Sequence, residues 1–339
     1  MRAWQVAGGF GLEALQQVEL PPEPVGPGQV RLQMRAVSLN YRDLLMVRGH
    51  YDPRQPLPLV PCSDGVGEVV ELGPGVRRVG LGQRVCPSFN QAWRGGELDR
   101  SALRATLGGP LPGTLQTEMV VDAEGLVVVP EHLSDEACAT LPCAGVTAWR
   151  ALVTEGRVRP GEVVLTLGTG GVSLFALQIG VMLGARVIVT SSSEAKLERA
   201  RELGAAHGIH YGQDPAWGAS ALAWTGGRGV DLVMELGGAD TLDQSLRAVR
   251  PGGTVALIGV LSGVKSPLLL TRILMNHVRV QGVFVGARED LEALCRALAA
   301  HPEVDPVIDR VFGFDEAPQA FAHLASGAHM GKIVVRVQP

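Results

Sequence analysis

The sequence predicts an α/β protein in which a doubly wound parallel sheet is joined to a second, mostly β domain. Three observations predict it. Residues 163–190 (VVLTLGTGGVSLFALQIGVMLGARVIVT) read as strand, glycine-rich turn, helix and strand. Short apolar runs then keep alternating with helix-length segments up to residue 285, the pattern of a parallel sheet. Residues 1–122, by contrast, are strand-like and broken by turns. At 339 residues the chain is long enough for two domains, and 46% apolar residues suffice for sizeable cores.

In the first segment, residues 30–34 (VRLQM) alternate as a half-buried strand does. Residues 65–72 do the same and turn at Gly73-Pro74-Gly75, and residues 83–85 resume a strand. Residues 87–113 are the least regular stretch and predict a long loop at the mouth of a site. Strands are predicted at 163–167, 186–190, 231–236, 254–259 and 279–285, with helices at 172–183, 194–203 and 242–249. Two further helices, 291–300 and 317–326, precede a last strand at 332–337 that is expected to return to the first domain. The predicted domains are therefore 1–126 with 287–339, and 127–286.

The turn after residue 167 carries the most chemistry. Gly168 permits the sharp turn, and Gly170 lets a pyrophosphate approach the backbone. The amides of Gly171 and Val172 open the helix and face that anion. A glycine-rich turn alone is weak evidence, but the flanking strand and helix make this one specific. Ser173 departs from the fingerprint, which usually has Gly or Ala there, yet it is still small.

The end of the second strand bears on which dinucleotide binds. NAD(H) calls for an acid there to accept from the ribose 2′-hydroxyl. This strand ends Thr190-Ser191-Ser192-Ser193, with no acid before Glu194. Ser191, Ser192 and Lys196 suit a 2′-phosphate, so NADP(H) is the expected cofactor. The same serines also read as caps of the helix that follows.

A net charge of −4 gives no reason to expect nucleic acid or an anionic membrane as partner. The apolar runs are too short to span a bilayer. The N-terminus lacks a basic stretch followed by an apolar core, so a cytoplasmic protein is expected. Five scattered cysteines, without a CxxC, predict no disulfides.

Taken in order, several motifs resemble the medium-chain dehydrogenase/reductase superfamily over essentially the whole chain. They are SLNYRD (38–43), RGHY (48–51), PCSDGVG (61–67), LPCAGVTAW (141–149), the turn at 168–173, residues 252–259 and GKIV (331–334). The resemblance is greatest to the zinc-independent quinone oxidoreductase and enoyl reductase-like branch, and to proteins labelled zinc-type alcohol dehydrogenase-like. It implies a Rossmann dinucleotide-binding domain and a GroES-like catalytic domain.

Where the family's catalytic zinc takes Cys, His and Cys, this chain has Asn40, Ser63 and Cys143. The lobe that holds a structural zinc has Cys86 alone, so no metal is expected at either place. The resemblance puts Asn40 beside the nicotinamide and substrate and makes Tyr51 a candidate proton donor, with Tyr41 and His50 as rivals. Tyr51 also reads as an amphipathic wall residue, Cys143 as a small buried hydrophobe, and Arg42–Asp43 as a solvated pair. The resemblance further implies cofactor contacts at Thr147, Tyr211, Phe284, Val285 and Lys332. Gly259, Val260 and Leu261 follow a strand end, where such sheets bind ligands.

The resemblance also implies a homodimer, because strand 279–285 is an edge of the coenzyme sheet in this family and two such edges can pair. Three functions stay open: an NADPH-dependent reductase of quinones or α,β-unsaturated carbonyls, an alcohol dehydrogenase or ketone reductase, and a non-catalytic NADPH-binding protein.

Overall fold

Val30, Leu32 and Met34 are fully buried, whereas Arg31 and Gln33 between them are only half-buried. One face of this strand therefore builds a core and the other reaches solvent, as the alternation requires. The computed structural model describes residues 1–100 and 102–337.

In chain order the strands are β1 (Arg2–Val6), β2 (Leu15–Glu19), β3 (Gln29–Leu39), β4 (Asp64–Leu72), β5 (Arg84–Pro87), β6 (Glu118–Asp122) and β7 (Leu126–Val128). There follow β8 (Val163–Leu167), β9 (Arg186–Ser191), β10 (His207–His210), β11 (Val230–Glu235), β12 (Val249–Leu257) and β13 (Arg279–Gly282), and finally β14 (Ile308–Gly313) and β15 (Lys332–Arg336).

The chain divides into two units, 1–146 with 286–339, and 147–285. In the first, β1 pairs with β2, and a larger sheet runs β14–β15–β3–β4–β5–β7 with β6 also paired to β3. β15 lies antiparallel to β3, with Ile333 opposite Leu39, so the C-terminal strand is a structural member of the N-terminal sheet. The core contains Leu32, Met34, Leu115, Leu126, Phe321 and Ile333. The sequence boundary at 126/127 is thus placed too early. Val127 pairs with Cys86 across β7 and β5, and the Cys143 amide bonds to Asp64, so residues 127–146 stay with the first unit.

The second unit holds six parallel strands in the order β10–β9–β8–β11–β12–β13. Its central strands are buried on both faces: all five residues of β8 and all six of β11 are buried. The strand order reverses beside β8, which pairs with β9 on one side and β11 on the other. A crevice at the carboxyl ends of strands at such a reversal is where doubly wound sheets bind ligands. β13 closes four residues long, ending at Gly282 rather than at 285, and is the outer strand of its sheet. Among the described residues, no helix is long and apolar enough to cross a membrane.

Candidate active site

Gly168 follows β8 with φ of 77°, a left-handed conformation that favours glycine, and its amide donates to Thr190 Oγ1 at 3.2 Å. Gly170 is different. Its φ is −78°, and a Cβ built on it meets nothing within 4 Å. The fold itself therefore makes no demand for glycine at 170, and the space in front of its backbone is open. The helix Gly171–Met182 starts there without any side-chain cap, so its first amides, those of Gly171 and Val172 among them, are left to a ligand or solvent. Ser173, the departure from the fingerprint, is buried and donates its hydroxyl to Leu167 O at 2.7 Å.

At the end of β9, the serines divide their tasks. Ser193 Oγ accepts from the Lys196 amide and caps the helix Glu194–Glu202. Ser191 is buried, and its Oγ accepts from the Ser193 amide at 3.2 Å. Ser192 is exposed. The Tyr211 amide donates to Ser191 O at 3.0 Å, which sets the half-exposed Tyr211 ring beside this strand end. Glu194, the first acid, is paired with Arg201 at 2.9 Å.

Of the other expected cofactor contacts, Val260, Leu261 and Phe284 are exposed, whereas Thr147 and Val285 are buried. Val285 has no exposed surface to offer a ligand. The Gly259 amide bonds to Glu235 O at 3.1 Å. Glu235 itself had no role in the sequence reading. It is fully buried, and its carboxylate accepts from the amides of Gly237 and Gly238, at 2.8 and 2.9 Å, and from the hydroxyls of Thr241 and Ser245. It thereby shapes the loop at the carboxyl end of β11. Its only sequence signal is an acid at the end of an apolar strand.

In the first unit a polar cluster forms where β3 ends. Asn40 is the N-cap of the helix Tyr41–Val47, and its backbone N–H donates to Asp43 Oδ2 at 2.8 Å. Asn40 Nδ2 donates to Ser63 Oγ at 3.4 Å, and Ser63 Oγ donates to Asp64 Oδ1 at 2.8 Å. The Cys143 amide reaches Asp64 Oδ2 at 3.2 Å. Lys332, expected near the cofactor, is buried, and its Nζ donates to Leu39 O at 2.7 Å and to Asn40 Oδ1.

Burial dominates the electrostatics here. It pushes the Asp43 carboxyl up to about 6 against the opposing pull of Arg42. It raises Asp64 as well, with Lys332, Asn40 and Ser63 pulling the other way. The Cys143 thiol is raised by burial and then by Asp64, so it is held protonated.

Arg42 and Asp43 are not a solvated pair. Asp43 is fully buried, and Arg42 donates to Leu107 O at 2.8 Å, to Thr106 Oγ1 at 3.3 Å and to Gly109 O. Arg42 thus ties the helix Tyr41–Val47 to the irregular stretch 87–113. Its guanidinium also lies 5.2 Å from the Tyr51 ring centre. Tyr51 is 45% exposed and Tyr41 44%, so exposure does not choose between them as donor.

The chain matches the family model for the alcohol dehydrogenase GroES-like domain over residues 26–131 and that for zinc-binding dehydrogenases over 171–300. A zinc-type alcohol dehydrogenase-like protein of Schizosaccharomyces pombe is 40% identical over 322 residues, 93% of either chain. The chain belongs to the medium-chain dehydrogenase/reductase superfamily. A solved NAD-dependent alcohol dehydrogenase is 31% identical, with a TM-score of 0.91 and the whole of both chains covered. The quinone oxidoreductase of Pseudomonas syringae pv. Tomato DC3000 is 26% identical, with a TM-score of 0.84 over 99% of each chain. It is an oxidoreductase of this superfamily, with both alcohol dehydrogenase-like and quinone oxidoreductase-like relatives.

The zinc in the family description does not fit this donor set. A neutral amide and a hydroxyl are poor ligands for Zn²⁺ beside thiolate and imidazole, which leaves Cys143 alone at the third position. The amide oxygen of Asn40 is moreover committed to an ammonium. Among the described residues, no three His, Cys, Asp or Glu side chains converge to hold a metal.

Proposed function

We propose that this protein is an NADPH-dependent, zinc-independent reductase that passes hydride to a quinone or an α,β-unsaturated carbonyl compound. The observation that carries the reading is the cluster of Asn40, Ser63, Asp64 and Lys332. It sets Asn40 and Ser63, at positions where zinc enzymes of the family place metal ligands, against the buried charges of Asp64 and Lys332. When bound, the nicotinamide supplies the hydride.

The chain's own groups have two tasks. Gly168, Gly170, Gly171 and Val172 seat the pyrophosphate on backbone amides. Ser191, Ser192, Lys196 and Tyr211 hold the 2′-phosphate, and Thr147, Gly259, Val260, Leu261 and Phe284 hold the rest of the dinucleotide, with Val285 behind them. Asn40 donates to the substrate oxygen, and Tyr51 delivers the proton through its phenol. An NAD-dependent neighbour makes the choice of dinucleotide a question of the end of β9. The absence of an acid from 187 to 193 supports NADPH.

Alcohol dehydrogenase or ketone reductase activity is the second reading, supported by the name of the fission yeast relative. One panel separates the two: stopped-flow oxidation of NADPH by a quinone, an enone and an aldehyde, and reduction of NADP⁺ by an alcohol, each with and without chelator. Turnover with the quinone or enone, unaffected by chelator, is expected. Turnover confined to alcohol and aldehyde, or abolished by chelator, overturns the proposal.

We also propose a homodimer. β13 is an open sheet edge, and Val264, Leu270, Leu274 and Met275 beside it in sequence are each more than two-thirds exposed. A second copy pairing its own β13 would cover both the edge and these side chains.

A further inference from the structure

Lys332 is one of only three lysines in the chain and is 4% exposed. A buried ammonium is costly unless its hydrogen bonds and its charge are compensated. Here two of its three N–H groups are directed at Leu39 O and Asn40 Oδ1, and the buried carboxylates of Asp43 and Asp64 lie close enough to feel its charge.

The bond to Asn40 has a directional consequence. An ammonium donates and never accepts, so the amide atom facing it must be the oxygen. The nitrogen then faces the other way. One of its hydrogens goes to Ser63 Oγ, whose own hydroxyl is spent on Asp64 Oδ1. Among the described residues Nδ2 forms no second direct hydrogen bond, although the Asn40 side chain also lies near enough to Asp64 to favour its carboxylate. An amide whose oxygen accepts from a cation is polarised along its length, which makes its N–H groups stronger donors.

We propose that Lys332 is a positioning residue, not a cofactor ligand: it locks the Asn40 amide with its oxygen inward and turns a cation-backed Nδ2–H toward the substrate carbonyl. This rests on the proposed function, in which Asn40 meets the substrate. The positive charge that polarises the carbonyl then acts through one amide.

Two substitutions and one spectroscopic measurement test it. Lys332→Met removes the charge and should lower kcat at least about 100-fold while leaving the Kd for NADPH within about threefold. Asn40→Asp keeps an acceptor for Lys332 but deletes the donor. It should fold as well as the wild type, bind NADPH normally and lose kcat to the same extent. It serves even if Lys332→Met fails to fold. If Asn40→Asp retains wild-type kcat, or if Lys332→Met weakens NADPH binding tenfold with kcat kept, the assignment is overturned.

The lock itself is read without turnover, from the side-chain amide of Asn40 in isotope-labelled protein. Slow hydrogen exchange in the wild type and fast exchange in Asn40-intact Lys332→Met or Lys332→Gln protein are expected. Fast exchange in the wild type overturns the lock whatever the activity. A locked amide in a protein that turns over none of the four substrate classes overturns the proposed function instead, and with it the purpose assigned to the lock.

Discussion

Two side chains carry predictions of their own. Tyr51→Phe keeps the ring beside Arg42 and removes only the hydroxyl. If the phenol donates the proton, turnover falls by about 10²–10⁴-fold with NADPH affinity unchanged. Steady-state kinetics and fluorescence titration check this, and near-wild-type turnover returns the role to Tyr41, His50 or water. Lys196→Ala removes the one ammonium in the first two turns of the helix after β9. A charge-assisted hydrogen bond contributes about 1.5–3 kcal/mol. NADPH binding should therefore weaken by about 10- to 100-fold and NADH binding stay put. Equal losses for the two nucleotides would show that Lys196 does not read the 2′-phosphate. Both residues were visible in the sequence. Lys332 was too, but its direction was not: nothing in GKIV says that Nζ points at Asn40.

The glycine turn and the first helix make their predictions at the scale of elements. Gly170 is the N-cap of its helix with an ordinary φ and open space at its Cβ. Gly170→Ala should then cost the fold no more than about 1 kcal/mol, the penalty of alanine at a cap. Dinucleotide binding should fall at least about tenfold, because the methyl occupies the space the pyrophosphate needs. Calorimetry with and without NADPH measures both, and unchanged binding would place the phosphates elsewhere.

Asp43 gives the helix Tyr41–Val47 a pH dependence. Its carboxyl titrates near 3.8 when unfolded and near about 6 when folded, because of burial. Between these values the folded chain binds the proton more tightly. This contribution to stability is therefore present at pH 4 and is lost as pH rises through about 6, with a ceiling of about 3 kcal/mol. Asp43→Asn should abolish it. Urea midpoints of wild type and variant from pH 4 to 7 are expected to converge or cross, not run parallel. The element itself was poorly legible, since Arg42-Asp43 beside Tyr41 reads as a polar surface turn. Only the packing of residues 106–109 over Arg42 buries it.

For the whole molecule, the expected assembly is a dimer. Light scattering at micromolar concentration should give twice the chain mass, and Leu274→Glu with Met275→Glu should shift the balance to monomer without unfolding it. A monomeric wild type would leave this exposed apolar stretch to another partner.

Much of the fold was written in local pattern. The buried strands β8 and β9 and the helix Gly171–Met182 declare themselves because periodicity, length and the glycine turn agree over the 28 residues 163–190. Strand β10 and the helix Trp217–Trp224 were not anticipated; β10 is four residues long with only Ile209 buried, too little for a pattern. The absence of the zinc ligand pattern and of an acid after β9 is likewise a property of the sequence, since it depends only on which residue types stand at given positions. Tertiary structure alone decided what joins them. Lys332 lies 292 residues from Asn40, and Asp64 lies 79 from Cys143. The hydrogen bonds between them exist because β15 closes beside β3 and the segment after β7 folds back onto the start of β4. Hydrophobic pattern sets which face of a strand is buried; which polar groups meet at its end depends on how strands far apart in sequence pair, and no local signal records that.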